Sequence, residues 1–225
     1  MNPNSFSFQV SGDGSGTLYS KEMQESYHSL NGALQESKHV FIEAGLKQCQ
    51  KKSIQLFEIG FGTGLNALLT WAEAKRNHLD ITYTAIEAFP LPPETTAALG
   101  YDSLEPTLQK EAFHQLHSAV WNKTVVLEKN CFSLHKMEGD FTANTLLSKF
   151  DLLYFDAFAP DKQPEMWEEH LFARLYERLN VGGILVTYCA KGEIRRRLQR
   201  CGFKVERIPG PPGKREMLRA VKASI

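Results

Sequence analysis

The stretch Glu58-Ile-Gly-Phe-Gly-Thr-Gly64 decides the fold through its position in the chain. An apolar run, Ile54–Ile59, leads directly into the glycines, and an apolar-periodic segment, Leu65–Lys75, follows them. Glycines at a strand-to-helix junction let the backbone turn sharply and approach a ligand, while the helix offers its free N-terminal amides. The stretch therefore predicts a nucleotide-like ligand above this turn; the alternative is a glycine-rich turn without a ligand.

The spacing of the glycines indicates which ligand binds at the turn. A dinucleotide site has the pattern G-x-G-x-x-G, whereas Gly60, Gly62 and Gly64 follow G-x-G-x-G, with Glu58 two residues before the first glycine. A carboxylate at this place can meet the positive amino-acid end of S-adenosylmethionine, directly or through water, and this cofactor has no pyrophosphate to be repelled. The pattern favours S-adenosylmethionine over NAD.

From Ile54 onward, short apolar runs alternate with amphipathic segments, a pattern typical of βαβ units and a parallel sheet. We predict seven strands, at Ile54–Ile59, Ile81–Ile86, Val125–Glu128, Leu152–Phe155, Ile184–Tyr188, Lys204–Ile208 and Glu216–Val221. We predict helices at Leu65–Lys75, in the Leu104–Val120 region, at Pro164–Leu179 and at Glu193–Arg200. A turn-rich link, 209–213, separates the last two strands and leaves no room for a helix, so they should be antiparallel. The predicted fold is a mostly parallel, Rossmann-like α/β sheet.

Length and composition fit one globular domain with an appendage. The 225 residues can bury a core without disulfides or metal. Residues 1–50 carry a Gly/Ser-rich stretch and then mixed helical spacing, and we interpret them as an N-terminal extension packed on the core. Residues 51–225 form the predicted catalytic domain.

The four cysteines are widely spaced and have no histidine partners at zinc-ligand spacing, so we expect neither disulfides nor a metal site. This usage fits a reducing cytoplasm. The N-terminus does not have the layout of a signal peptide, and no apolar run approaches the ~20 residues that span a bilayer. We therefore expect no membrane association.

Positive charge is concentrated at the C-terminus, although the net charge is zero. From Lys191 to Ile225 there are eleven Lys and Arg residues against three Glu residues. Phosphate binding needs clustered cations, so this asymmetry is consistent with an anionic partner; a solvated helix face is the equal alternative. The candidate phosphate contacts are Arg195, Arg196, Lys214 and Arg215.

Two further strand ends carry candidate cofactor contacts. Glu87 ends the predicted second strand, where a carboxylate can accept hydrogen bonds from both hydroxyls of a ribose. Asn130 and Cys131 follow the predicted third strand, near the expected position of an adenine ring. An exposed acid and ordinary loop residues are the alternatives.

The fourth predicted strand ends in Asp156-Ala-Phe-Ala-Pro160, at the edge of the sheet where open α/β folds bind substrates. An aliphatic ammonium has no lone pair and must lose a proton before it attacks a methyl group. Asp156 could orient such an amine or accept its proton. Phe158 and Pro160 are candidate substrate contacts, and helix capping is the alternative role for Asp156.

Taken together, these motifs resemble the family of MnmC methyltransferase domains. The resembling stretches are spread over most of the chain: Leu56–Asn66, Asp156–Pro160, Pro164–Trp167, Arg195-Arg196 with Cys201–Phe203, and Gly213–Leu218. The N-terminal region Tyr27–Ile42 is also similar to the family's opening segment. The resemblance implies a class I fold, S-adenosylmethionine as cofactor with Asn66 in its site, and methylation of 5-aminomethyl-2-thiouridine at the tRNA wobble position. It also implies that Asp156 is the catalytic acid/base.

The chain departs from this family at two places. Bifunctional members continue into a flavin-dependent oxidase, whereas this chain ends at Ile225, so we expect no FAD and a substrate amine made by separate enzymes. The family's Gly-Asp pair after the third strand is replaced by Asn130-Cys131 in this interpretation. Two other functions remain open: methylation of a protein or small-molecule amine, and a non-catalytic cofactor- or RNA-binding module.

Overall fold

A computed structural model describes residues 5–109 and 111–223. The predicted helical region 104–120 and the two ends of the predicted domains therefore lie partly outside the described residues. The strands are β1 (Phe6–Val10), β2 (Gly16–Ser20), β3 (Glu25–Ser26), β4 (Ser53–Ile59), β5 (Asp80–Glu87), β6 (Thr124–Glu128), β7 (Phe132–Glu138), β8 (Phe150–Phe155), β9 (Leu179–Thr187), β10 (Lys204–Pro209) and β11 (Glu216–Val221). The α-helices are α1 (Ala33–Ser37), α2 (Leu65–Asn77), α3 (Pro93–Ala97), α4 (Ala112–Ser118), α5 (Glu169–Arg178) and α6 (Gly192–Arg200).

The central sheet has eight strands in the order β10-β11-β9-β8-β4-β5-β7-β6. The five inner strands from β9 to β7 run parallel, and β11 is antiparallel to both β9 and β10. All six residues of β8 and five of the seven residues of β4 are buried because elements cover both faces of the sheet. The mostly parallel α/β class predicted from the sequence is confirmed, with eight strands in place of seven.

The additional strand changes the assignment of the third parallel strand. The predicted strand at residues 125–128 is β6, an edge strand antiparallel to β7. Three residues, 129–131, join β6 to β7, and such a short link makes only a hairpin, since a parallel crossover needs a dozen residues or more. The parallel neighbour of β5 is β7, in which polar Ser133 and His135 alternate with buried apolar residues. The sequence prediction was wrong at this point because it took the hairpin's first strand for the buried one.

The helices differ from prediction where the chain contains local breaks. Helices α2 and α6 lie where they were predicted. The predicted helix 164–179 is a 3₁₀ turn, Pro164–Trp167, followed by α5, because Glu168 between them has an extended backbone. Among the described residues of the 104–120 region, α4 is the only helix, and α3 was not predicted.

The N-terminal residues form a small sheet of their own. Strands β1, β2 and β3 make antiparallel pairs, and α1 continues into a π-helical turn, Lys38–Glu43. Phe41 of that turn packs on Tyr154 of β8, with ring centroids 5.0 Å apart. The predicted helical spacing of this region thus describes only part of it. No described helix is both long and apolar enough to cross a bilayer.

Candidate active site

A cavity of about 500 Å³ lies at the carboxyl edge of the central sheet. It sits where the chain order reverses, since β5 lies on one side of β4 and β9 lies beyond β8 on the other. Open α/β folds bind ligands at this kind of position. Residues at or just after the ends of five parallel strands line it: Ile59, Glu87, Gly139, Asp156 and Tyr188.

The register of β4 and β8 places the glycine turn against Asp156. Ile59 pairs with Phe155, so Gly60 and Asp156 are the next residues on neighbouring strands. A Cβ built on Gly60 would lie 2.7 Å from the Asp156 carbonyl oxygen, and Gly60 has a φ of +87°. Only glycine fits this position. The glycine turn and the Asp156 loop are therefore built as one unit.

A single amide links two buried acids beneath the cavity. Asn66 Nδ2, in the first turn of α2, donates hydrogen bonds to Asp156 Oδ2 at 2.8 Å and to Glu58 Oε1 at 3.0 Å. Glu58 is fully buried and does not line the cavity, whereas Asn66 does. Glu58 was predicted to meet the cofactor directly or through water; in the structure it is separated from the cavity by Asn66, to which it is hydrogen-bonded. Glu58 Oε2 and Asn66 Oδ1 are buried without a hydrogen-bond partner among the described residues.

Burial dominates the electrostatics of these acids. It raises the pKa of Asp156 to about 7; the negative charge of Glu36 adds to this, and the Asn66 hydrogen bond opposes it. Burial also holds the pKa of Glu58 well above its usual range. A carboxyl group that titrates near neutral pH can take up and release a proton under physiological conditions.

Glu87 reaches the cavity from the end of β5. Its Oε2 accepts a hydrogen bond from the Gly62 amide at 2.9 Å, and its Oε1 accepts one from the Phe89 amide at 2.9 Å. The carboxylate therefore braces the glycine turn. Each oxygen keeps a further lone pair that could accept a ligand hydroxyl.

Asn130 and Cys131 lie at the opposite edge of the sheet, in the β6-β7 hairpin, and do not line the cavity. Their predicted place beside adenine followed from the wrong third strand. The residues that follow the true third parallel strand, β7, are Gly139 and Asp140, and both line the cavity. The Gly-Asp pair that was interpreted as absent is present. Asp140 is exposed and accepts hydrogen bonds from the Thr142 amide and hydroxyl, both at 2.8 Å.

The predicted substrate residues fall into two groups. Phe158 and Lys214 line the cavity, whereas Pro160, Arg195, Arg196 and Arg215 do not. Trp167 is fully buried in the core, where its indole N–H donates to the Phe158 carbonyl at 2.8 Å.

Many of the C-terminal cations are already engaged in ion pairs within the chain. Six of the eleven form ion pairs: Lys191, Arg197, Arg200, Arg207, Lys214 and Arg219. Arg196 and Arg215 are exposed and make no ion pair with a described residue. The basic surface that could meet phosphates is therefore smaller than the sequence indicated.

Sequence reasoning missed the contribution of the N-terminal segment to the cavity. Tyr27 packs against Gly62 and against the Phe158 ring, with centroids 5.1 Å apart. Glu25 accepts a hydrogen bond from the Ala159 amide at 3.0 Å. Glu36 lines the same cavity from α1. These residues come from short elements whose burial depends on tertiary packing, so no periodic pattern in the sequence indicated their position.

Two neutral histidines hold Thr63 inside the glycine turn. His28 Nε2 lies 3.3 Å from the Thr63 hydroxyl, and the His117 ring N–H donates to the Thr63 carbonyl at 3.0 Å. Burial lowers the pKa of both rings to about 4. Both are therefore uncharged at neutral pH and serve as hydrogen-bonding braces for the turn.

Residues 104–223 match a family described as S-adenosyl-L-methionine-dependent methyltransferases. The chain belongs to this family. The methyltransferase is also 33% identical, over 90% of its length, to a protein of Cupriavidus metallidurans named tRNA 5-methylaminomethyl-2-thiouridine biosynthesis bifunctional protein MnmC. A similar protein of Methylobacillus flagellatus is 32% identical over 90% of the chain. The chain spans about a third of the length of these curated relatives.

Among solved structures, the methyltransferase is similar to MnmC2 from Aquifex aeolicus, with a TM-score of 0.76 and 26% identity. This match covers 98% of the chain and 72% of the other. Spermidine synthase from Thermotoga maritima, at 9% identity and a TM-score of 0.58, shares the fold alone.

The cavity of the methyltransferase fits the family's cofactor. The glycine turn presents backbone without side chains, and the free amides of α2 begin at Leu65, which lines the cavity. Carboxylates stand at the ends of β5 and just after β7, and unpartnered polar atoms lie beneath the turn. No group of three or more metal-ligating side chains occurs among the residues described.

Proposed function

We propose that this methyltransferase transfers a methyl group from S-adenosylmethionine to the amine of 5-aminomethyl-2-thiouridine at the tRNA wobble position. The product is 5-methylaminomethyl-2-thiouridine. The observation that carries the proposal is Asp156, a carboxyl group with a pKa of about 7 that lines the cavity beside the glycine turn. The names of the relatives from Cupriavidus and Methylobacillus support this substrate.

The chain's own residues supply the cofactor site. In the proposal, the backbone of Gly60 and Gly62 faces the cofactor, Glu87 accepts the ribose hydroxyls, and Asp140 accepts the adenine amino group. Asn66 meets the amino-acid end and is itself held by its hydrogen bond to Glu58. The bound cofactor supplies an activated methyl group, so no side chain has to act as a nucleophile.

Asp156 supplies the proton chemistry in this proposal. The substrate arrives as an ammonium and attacks only after its nitrogen has lost a proton. The Asp156 carboxylate accepts this proton, and its pKa near neutrality suits the task. The Asn66 amide orients the carboxylate, which leaves its second oxygen free to face the amine.

Aromatic side chains make the substrate end suitable for an extruded base. Tyr27, Phe158 and Tyr188 all line the cavity. Enzymes that act on a stacked nucleobase flip it into a pocket and hold it between aromatic surfaces. These three rings are the proposed walls for the wobble uracil.

Arg195, Arg196 and Arg215 are the proposed contacts to the anticodon stem-loop backbone. These residues lie at the start of α6 and in the β10-β11 turn, which are at the carboxyl edge of the sheet, as the cavity is. Pro160 stays a predicted substrate contact. We also propose a cytoplasmic location, which the free thiols of all four cysteines support. In the proposal, separate enzymes make the aminomethyl group.

The test is methyl transfer from labelled S-adenosylmethionine to two matched tRNAs, one with the aminomethyl group and one without. Label in the first tRNA alone supports the proposal. Label in a free polyamine or a lysine peptide, with none in either tRNA, moves the substrate to another amine. Cofactor binding without transfer to any amine leaves a non-catalytic module.

A further inference from the structure

Helix α1 and the turn between β10 and β11 meet at the proposed substrate side of the cavity. Lys214, in the turn between β10 and β11, places its Nζ 2.7 Å from Glu36 Oε1 on α1. The other Glu36 oxygen accepts the Ser29 amide at 2.7 Å. The Glu36 side chain is only 10% exposed. Both oxygens are engaged, so this ion pair has a fixed position.

The pair is connected to the loop that carries Asp156. Lys214 Nζ lies 4.1 Å from the centroid of the Tyr188 ring. The Tyr188 hydroxyl donates to the Ala157 carbonyl at 2.9 Å, directly after Asp156. All four side chains that form this arrangement, Glu36, Asp156, Tyr188 and Lys214, line the same cavity.

The charges around the cavity make this lysine distinctive. Lys214 is the one Lys or Arg among the described lining residues, against seven acids: Glu22, Glu25, Glu36, Glu87, Asp140, Asp156 and Glu165. A single cation in such surroundings strongly influences how easily a neighbouring acid loses its proton.

We propose that Glu36 and Lys214 are positioning residues that together set the protonation of Asp156, the Glu36 anion favouring the neutral acid and the Lys214 cation favouring the carboxylate. The ion pair thus keeps Asp156 able both to accept and to release a proton. The importance of this inference for catalysis rests on the proposed role of Asp156 as the general base. Its test does not depend on that role.

The charged and titratable groups that act on Asp156 come from several elements. Glu36 and Glu25 of the N-terminal segment raise its pKa, and Lys214 and the Asn66 amide lower it. Glu58, Tyr83 and Tyr188 are buried nearby and are themselves affected by the charges of this cluster. Because Glu36 is an anion and Lys214 is a cation, they are expected to act on the pKa of Asp156 in opposite directions.

The experiment is a direct titration of the Asp156 carboxyl group by ¹³C NMR in the full chain, with its signal identified by its loss in Asp156→Asn. Compared with the unmodified protein, Lys214→Gln should raise the midpoint and Glu36→Gln should lower it, each by about one pH unit. Lys214→Arg keeps the cation and should restore the original midpoint. Lys47→Gln, which removes two ion pairs outside the cavity, should leave the midpoint unchanged.

Unchanged midpoints in folded Lys214→Gln and Glu36→Gln, or shifts of the same sign, would overturn the inference. If Lys214→Gln does not fold, Glu36→Gln, which matches glutamate in shape, decides the test alone. No tRNA is needed, so the titration can succeed even where tRNA methylation fails. With an accepted amine substrate, the acidic limb of kcat/KM should move in the same directions as the midpoints.

Discussion

Asn66 Nδ2 donates a 2.8 Å hydrogen bond to Asp156 Oδ2, and the same nitrogen holds Glu58 Oε1 from the other side. Two acids with raised pKa values therefore share one neutral donor between the glycine turn and the end of β8. An amide suits this place because it binds both acids without adding a charge. The arrangement fixes the Asp156 carboxyl group at the junction of the proposed cofactor and substrate ends of the cavity.

Asp156→Asn should abolish most methyl transfer while it preserves cofactor binding. The new side chain still accepts the Asn66 hydrogen bond and cannot take a proton from the substrate. We expect turnover to fall by roughly 10²- to 10⁴-fold, the usual loss for a general base. Single-turnover transfer and calorimetric binding of S-adenosylmethionine measure the two effects. Turnover at the original rate would remove Asp156 from the mechanism.

The same residue makes stability depend on pH. The pKa of Asp156 is about 7 in the folded chain, against about 4 for an aspartate in an unfolded chain. Between these values the folded state binds more protons, so this group's contribution to the free energy of unfolding falls as the pH rises. Asp156→Asn should therefore raise the unfolding midpoint at pH 8 by about 2–4 °C per kcal/mol relieved, and by much less at pH 5. Equal changes at both pH values would contradict the burial of this charge.

Asp140, and not Asn130, should affect cofactor affinity. Asp140→Ala removes a carboxylate from the cavity lining, and we expect about tenfold weaker cofactor binding, the usual effect of losing a hydrogen bond to a charged group. Asn130→Gly is the matched control, because Asn130 has a φ of +57° that glycine adopts freely and lies at the far edge of the sheet. Calorimetric titration with S-adenosylhomocysteine measures both. A larger effect from Asn130 would restore the first adenine assignment.

Gly60→Ala should cost more stability than Gly182→Ala. Both glycines have positive φ values, so both changes carry similar backbone strain, of about 1–2 kcal/mol. A Cβ on Gly182 meets nothing within 4 Å, whereas one on Gly60 collides with the Asp156 carbonyl. We expect Gly60→Ala to lose about 1–3 kcal/mol more of the free energy of unfolding than Gly182→Ala, because of overpacking. Urea unfolding measures both losses. Equal losses would mean that the turn and the Asp156 loop are not closely packed.

Charge reversal at Arg195 and Arg196 should weaken tRNA binding and flatten its salt dependence. If both contact phosphates, the slope of log affinity against log salt should fall by about one to two. The matched control is the double reversal of Lys52 and Lys129, which lie at the amino edge of the sheet, away from the cavity. Equal effects of the two double variants would show that only overall charge matters.

Sequence reasoning located the parts of the fold that local pattern determines. Helix α2 and strands β4, β5 and β8 carry clear apolar periods, and the glycine spacing marks the turn between two of them. Asp156 and Glu87, which line the cavity, were predicted as site residues for the same reason, because each lies at the end of a recognisable strand.

The rest depended on contacts between distant segments. Strand β7 carries the buried Lys136, which lies over the Trp121 ring at 4.7 Å, so its apolar period is interrupted. This interruption hid the third parallel strand and, with it, Asp140. Glu36 and Lys214 are separated by most of the chain, and only the folded structure brings them together.

The most direct test of the central claim is nucleoside mass spectrometry of tRNA after reaction with the methyltransferase and S-adenosylmethionine. The account predicts that 5-aminomethyl-2-thiouridine disappears and 5-methylaminomethyl-2-thiouridine forms with the unmodified protein, and that Asp156→Asn forms almost none. An unchanged wobble nucleoside, with a protein that binds the cofactor and folds normally, would contradict it.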